Sequence, residues 1–171
     1  MHSMSKTKRI VFAFCIIISH LALSACGPKT PPPAPAQFSA QADIVYGGKA
    51  IAARLEQQAP GVLLVEFTAP EELRDMRLSL QGDSAVLRYG DMQTELPADS
   101  LPAAGFAPLL CQVLLRLAQP GEEGFARAKG GGWTLKGIAN GLSYRAKITP
   151  EGTLSQVDVP AAALEVTLSL Y

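Results

Sequence analysis

The sequence predicts a mainly β fold with one main helix (α+β): a strongly curved antiparallel sheet, or half-barrel, of about ten strands covered by helix. Three observations carry this. Apolar residues alternate with period two along most of the chain after Phe38. Turn dipeptides such as Gly47-Gly48, Gly82-Asp83, Gly90-Asp91 and Asn140-Gly141 separate the alternating runs. The period changes once, between Phe106 and Ala118, to three- and four-residue spacing.

The elements follow in order. Phe38, Ala40, Ala42, Ile44 and Tyr46 share one face of a first strand, with Ser39, Gln41 and Asp43 on the other. After Gly47-Gly48, Ile51, Ala53 and Leu55 alternate with Arg54 and Glu56, and 57–61 reads as a turn. Val62 to Thr68 reads as a third strand, apolar on both faces except at Glu66. Pro70-Glu71-Glu72-Leu73 has proline early and acids in its first turn, which suits one turn of helix. Met76, Leu78 and Leu80, then Ala85, Leu87 and Tyr89, then Met92, Thr94 and Leu96 mark three hairpin-linked strands.

Phe106, Leu109, Leu110, Val113, Leu114 and Leu117 form the apolar stripe of a helix, stopped by Pro120-Gly121. Pro108 sits in its first turn, where a missing N–H is tolerated. Four strands end the chain, at Trp133 to Gly137, Leu142 to Ile148, Leu154 to Val159 and Leu164 to Leu170. Clean alternation means one sheet face is buried and the other meets water. One helix is a small cover for so many strands, so the sheet is expected to curl over it. A sandwich is the alternative, but it gives the helix no obvious place.

The N-terminus has a separate logic. Lys6, Lys8 and Arg9 precede an apolar run from Ile10 to Leu23, and Leu23-Ser24-Ala25-Cys26 follows. A basic start, a short apolar centre and a small-residue cleavage site are the parts of an export signal. The apolar run, about 14 residues, is shorter than the roughly 18 to 20 that span a bilayer. The tetrapeptide resembles a bacterial lipobox. That resemblance implies cleavage before Cys26 and lipidation of the Cys26 thiol, with a palmitate-type acyl anchor. Residues 1–25 are then a lipoprotein signal peptide, 26–37 the lipidated cysteine and a tether, and 38–171 the domain. Gly27 to Gln37 holds five prolines in eleven residues, a polyproline II spacer. At about 3.1 Å per residue it spans roughly 34 Å.

The cut also removes chemistry. The remaining 146 of 171 residues carry 12 Lys and Arg against 15 Asp and Glu, a net charge of −3. A mildly acidic chain with no basic cluster lacks the footprint of a nucleic-acid binder. His2 and His20 both leave with the signal, so imidazole-based triads and His metal ligands are excluded. Cys15 leaves, Cys26 is lipidated, and Cys111 sits alone in the apolar setting Leu109-Leu110-Cys111-Gln112-Val113-Leu114, which reads as core. Glu66 is the one carboxylate on an otherwise apolar strand, and Glu71-Glu72 and Glu122-Glu123 read as solvated acid pairs. Gly130-Gly131-Gly132 lacks the Lys-Ser/Thr of a phosphate loop. No cofactor, metal site or enzymatic activity is expected.

The element order resembles the lipoprotein-carrier superfamily, the half-barrels of LolA, LolB and LppX type. The residues behind the resemblance are the strands from Phe38 to Thr68, the Ala69–Leu73 turn, the hairpins Met76 to Leu96, the helix Phe106 to Ala118 and the strands Trp133 to Ile148. It implies an apolar concavity that takes acyl chains. Candidate lining residues are Phe38, Ile44, Leu64, Leu78, Leu87, Leu114 and Trp133. The expected function is that of a non-enzymatic lipoprotein, anchored through Cys26 on the extracytoplasmic side of a bacterial membrane (cell membrane, or outer membrane in a two-membrane host). It binds or carries a lipid or other apolar ligand. The alternative is a cell-envelope scaffold or protein-interaction domain without cargo.

Overall fold

The computed structural model describes residues 35–101, 105–119 and 124–170. The expected signal peptide, Cys26, the expected tether up to residue 34, Pro120-Gly121 and Glu122-Glu123 lie outside the described residues.

Among the described residues, eleven strands form one open antiparallel sheet. They are β1 (Phe38–Tyr46), β2 (Lys49–Ala59), β3 (Val62–Ala69), β4 (Met76–Gln81), β5 (Ser84–Tyr89), β6 (Met92–Pro97), β7 (Gly124–Arg127), β8 (Trp133–Ala139), β9 (Leu142–Ile148), β10 (Leu154–Val159) and β11 (Leu164–Leu170). One α-helix, α1 (Phe106–Ala118), and three short 3₁₀ turns at Glu71–Leu73, Ala98–Ser100 and Pro160–Ala162 complete the described elements. The strand order is β6-β5-β4-β3-β2-β1-β11-β10-β9-β8-β7. The chain therefore builds one wing outward from β1 to β6. It passes through α1 and returns along the other wing from β7 to β11, where Ala40 pairs Leu170 and Tyr46 pairs Leu164.

The period-two runs form strands because each alternation puts its apolar set on one face. Ala40, Ala42 and Ile44 are buried, as are Ala53 and Leu55, Tyr144, Ala146 and Ile148, and Leu164, Val166 and Leu168. Gly47 and Gly48 both adopt positive φ (54° and 78°), the conformation a type I′ hairpin turn requires at both positions.

Three sequence expectations are corrected. The described residues form eleven strands where about ten were expected, the addition being β7, whose four residues are exposed with Phe125 its one large apolar side chain, a pattern indistinguishable from loop. Strand β2 runs on to Ala59, through the segment expected to turn, because register shifts at Ala52/Ala53 and Gln57/Ala59 let it keep pairing with β3. Leu64 does not share the buried face. Leu63, Val65 and Phe67 point into the core, and Leu64 lies on the opposite side with Val62 and Glu66.

The sheet is not flat. A pocket of about 180 Å³ is lined by Leu80, Gly82 and Asp83 at the end of β4, by Asn140 after β8, and by Cys111 and Gln112 of α1. Strands β4 and β8 stand seven positions apart. At about 4.8 Å per strand that is roughly 34 Å along a flat sheet. Both can approach two consecutive helix residues only if the wings bend toward each other.

Candidate functional site

Helix α1 sits among the inward side chains of both wings. Phe106, Ala107, Leu109, Leu110, Cys111, Val113, Leu114 and Leu117 are buried and belong to one core with the strand residues. Arg116 is its one exposed residue. The half-buried Pro108, Gln112 and Leu115 lie on the same side as Arg116 at three- and four-residue spacing, so α1 buries one broad apolar face and turns the other outward. The Phe106 ring packs against Tyr46 (centroids 6.2 Å apart) and against Phe67 (6.0 Å).

Four of the seven candidate lining residues enter this core: Ile44, Leu78, Leu114 and Trp133 are each at least nine-tenths buried. Phe38 and Leu87 pack partly buried against it. Leu64 stands on the other face and cannot line the same surface. Leu114 belongs to the helix itself and shares one core with Ile44, Leu78 and Trp133.

Trp133 has further neighbours that the sequence did not reveal. Phe125 of β7 stands edge-on to its ring with centroids 5.9 Å apart, and the Arg127 guanidinium lies 5.3 Å from the ring centroid. Arg127 pairs Trp133 in register, so both point inward at the edge of the sheet. The signal was weak: a Phe and an Arg two residues apart, upstream of a lone Trp.

Cys111 lines the 180 Å³ pocket, and burial pushes its thiol up from an ordinary 9.0 to about 11. A nucleophilic cysteine needs the opposite shift, produced by positive charge nearby. Glu66, the other suspect, is paired to Arg77 at 2.7 Å on the outer face, with both side chains partly exposed. Arg145 and Asp158 make a similar outer-face pair at 2.9 Å. Such pairs contribute about 0–1 kcal/mol and organise a solvated surface.

Two larger grooves are open to solvent. One, of about 540 Å³, is lined by Lys136, Gly137, Ile138, Ser143, Tyr144, Arg145 and Pro160. The other, of about 410 Å³, is lined by Gln37, Phe38, Ser39, Glu56, Gln57 and Gln58. Gln57 is the one buried polar side chain among the described residues, and its Nε2 donates to the Ala36 carbonyl at 3.0 Å. Gln37 Nε2 donates to the Gln58 carbonyl at 2.8 Å. These two bonds pin the residues that precede β1 to the end of β2.

No family model matches the chain, and no curated protein matches it. Among solved structures, a chain in the structure of the CwlD amidase from Clostridioides difficile in complex with the GerS lipoprotein is similar at 15% identity. The match covers 93% of this chain and 88% of that one, with a TM-score of 0.43. A LolA superfamily protein from Nitrosomonas europaea is similar at 10% identity over 82% of this chain and 85% of that one, with a TM-score of 0.37.

Proposed function

We propose that this chain is a non-enzymatic lipoprotein, anchored through Cys26 on the extracytoplasmic side of a bacterial membrane, whose half-barrel serves as a scaffold or protein-interaction domain. The supporting observation is the position of α1. Its broad apolar face, with Leu110 and Val113 fully enclosed, puts protein where a carrier would hold an acyl chain. The pocket beside it, about 180 Å³, is below the roughly 300–1,000 Å³ of ligand sites. The larger grooves are open and bordered by polar side chains such as Lys136, Arg145, Glu56 and Gln58.

Lipid carriage, the other reading, requires α1 to leave the concavity. Each large apolar side chain so exposed costs about 1.5–3 kcal/mol, and a bound alkyl chain returns about 0.8 kcal/mol per methylene. Leu109, Leu110, Val113, Leu114 and Leu117 all stand to be uncovered. A long acyl chain could offset that loss only by replacing the helix almost completely.

Native mass spectrometry of residues 27–171, produced in a lipid-containing host and then incubated with phospholipid, separates the two readings. A bare polypeptide in both samples is the expected result. Added mass matching a phospholipid or fatty acid overturns the scaffold reading in favour of a carrier.

A further inference from the structure

We propose that β6 is a dimerisation edge, pairing antiparallel with β6 of a second copy of this chain across a two-fold axis at Thr94. The sheet has two edges, β6 and β7, and they are not equally guarded. Arg127 of β7 shares the inward face of the sheet with Trp133. An inward charge is a device that keeps an edge from pairing. The inward face of β6, Met92, Thr94 and Leu96, carries none. Strand β6 runs six residues in unbroken register with β5, from Met92 opposite Tyr89 to Pro97 opposite Ser84. Among the described residues no strand pairs with its outer side. Met92, 69% exposed, is the most exposed large apolar side chain among the described residues, and its cross-strand neighbour Tyr89 is 45% exposed.

Backbone geometry sets the axis. Gly90-Asp91 is a two-residue turn, so Tyr89 and Met92 form its closing hydrogen-bonded pair. Alternation then turns the N–H and C=O of Thr94 toward β5 and those of Gln93 and Glu95 toward the open edge. With the axis at Thr94, Gln93 meets the partner's Glu95 and Glu95 meets the partner's Gln93. Four main-chain hydrogen bonds form.

The side chains agree with that register. Met92 faces the partner's Leu96 and Thr94 faces the partner's Thr94 on one side of the sheet; amide faces carboxylate on the other. Thr–Thr and apolar cross-strand pairs are favourable, and no like charges oppose. The outer-face groups are already oriented for it. Arg88 donates to Gln93 Oε1 at 2.7 Å, which turns Nε2 outward as a donor. Ser84 donates to Glu95 Oε1 at 2.9 Å and leaves Oε2 to accept. An isologous contact of this kind closes at two copies.

Disulfide trapping in the full chain, expressed in a bacterial host, tests this. The two Thr94 residues form a non-hydrogen-bonded pair with Cα atoms about 4.5 Å apart, within disulfide range. Thr94→Cys should yield a disulfide-linked dimer on a non-reducing gel, while the unsubstituted chain and Ala126→Cys, on the β7 edge, should not. Adding Gln93→Glu places carboxylates opposite Glu95 twice and should weaken the dimer about tenfold, and Gln93→Lys should restore it. A monomeric Thr94→Cys, an equal dimer from Ala126→Cys, a Thr94→Cys product joined to a different polypeptide, or indifference to Gln93→Glu would each overturn the proposal.

Discussion

Phe106, the first residue of α1, stands edge-on to Phe67 of β3, with ring centroids 6.0 Å apart and an interplanar angle of 76°. This contact and the Tyr46 contact fix where the helix begins against the sheet, at the end of β1 and β3. An edge-to-face pair contributes about 0.5–1.5 kcal/mol beyond its area. Phe106→Ala is therefore expected to lower unfolding stability by about 3–5 kcal/mol. Leu114→Ala, in the same core, should cost about 2–5 kcal/mol. Urea titration of the two variants against the parent chain checks both, and a change below 1 kcal/mol would mean that α1 is not packed in the interior.

The two faces of β3 make a sharper comparison. Leu63→Thr puts a hydroxyl into a site 1% exposed, and should cost at least about 2 kcal/mol. Leu64→Thr, one residue on, should stay within about 1 kcal/mol because its side is half-buried and shared with Glu66. Equal losses would reverse the assignment of faces.

Cys111 provides a pH test. Its thiol is raised by burial from 9.0 to about 11 in the folded chain. The folded state therefore holds the proton more tightly than the unfolded state. Stability linked to this group is whole below pH 9 and is lost as pH rises through the window from 9 toward 11. The loss should disappear in Cys111→Ala. At pH 8 the folded thiol should react with iodoacetamide far more slowly than the same thiol in urea. Equal rates would show an exposed or activated cysteine.

Gly124 opens β7 and Gly132 ends the loop that leads into β8, and the two differ in space. A Cβ on Gly132 would come within 2.5 Å of the Ile148 carbonyl oxygen, a backbone atom with nowhere to move. A Cβ on Gly124 meets nothing within 4 Å. Gly132→Ala should destabilise by about 1–3 kcal/mol, whereas Gly124→Ala should be neutral or slightly stabilising. Thermal melts of both variants decide the matter, and matched melting temperatures would contradict the close approach of β8 to β9.

Cys26→Ser tests the anchor. The substituted chain should keep its first 25 residues, gain no acyl mass and fail to be processed, as read by mass spectrometry of the membrane fraction. A chain of unchanged mass and membrane retention would remove the lipoprotein reading.

Hairpins were legible because their signals are local. Period-two alternation around Gly47-Gly48, Gly90-Asp91 and Asn140-Gly141 places strands on either side of a turn whose geometry those residues favour. The helix bounds, Phe106 to Ala118, were equally legible, since its apolar spacing changes within a few residues of Pro120. Leu64 misled because an apolar residue between Leu63 and Val65 gives no clue to its face. Gln57 misled because a polar residue reads as turn, and its burial depends on a carbonyl at Ala36, twenty-one residues away.

By itself the sequence determined most of the strands, the helix and the pattern of the N-terminal segment, all set by residues within a dozen positions of one another. Only the tertiary structure decided that β1 pairs with β11, that the wings bend until β4 and β8 approach the same helix residues, and that Leu114 and Trp133 share one filled core. The physical reason is range. Turn geometry and side-chain alternation are properties of a short stretch of chain, but strand order and the contents of a concavity depend on which distant surfaces exclude water together.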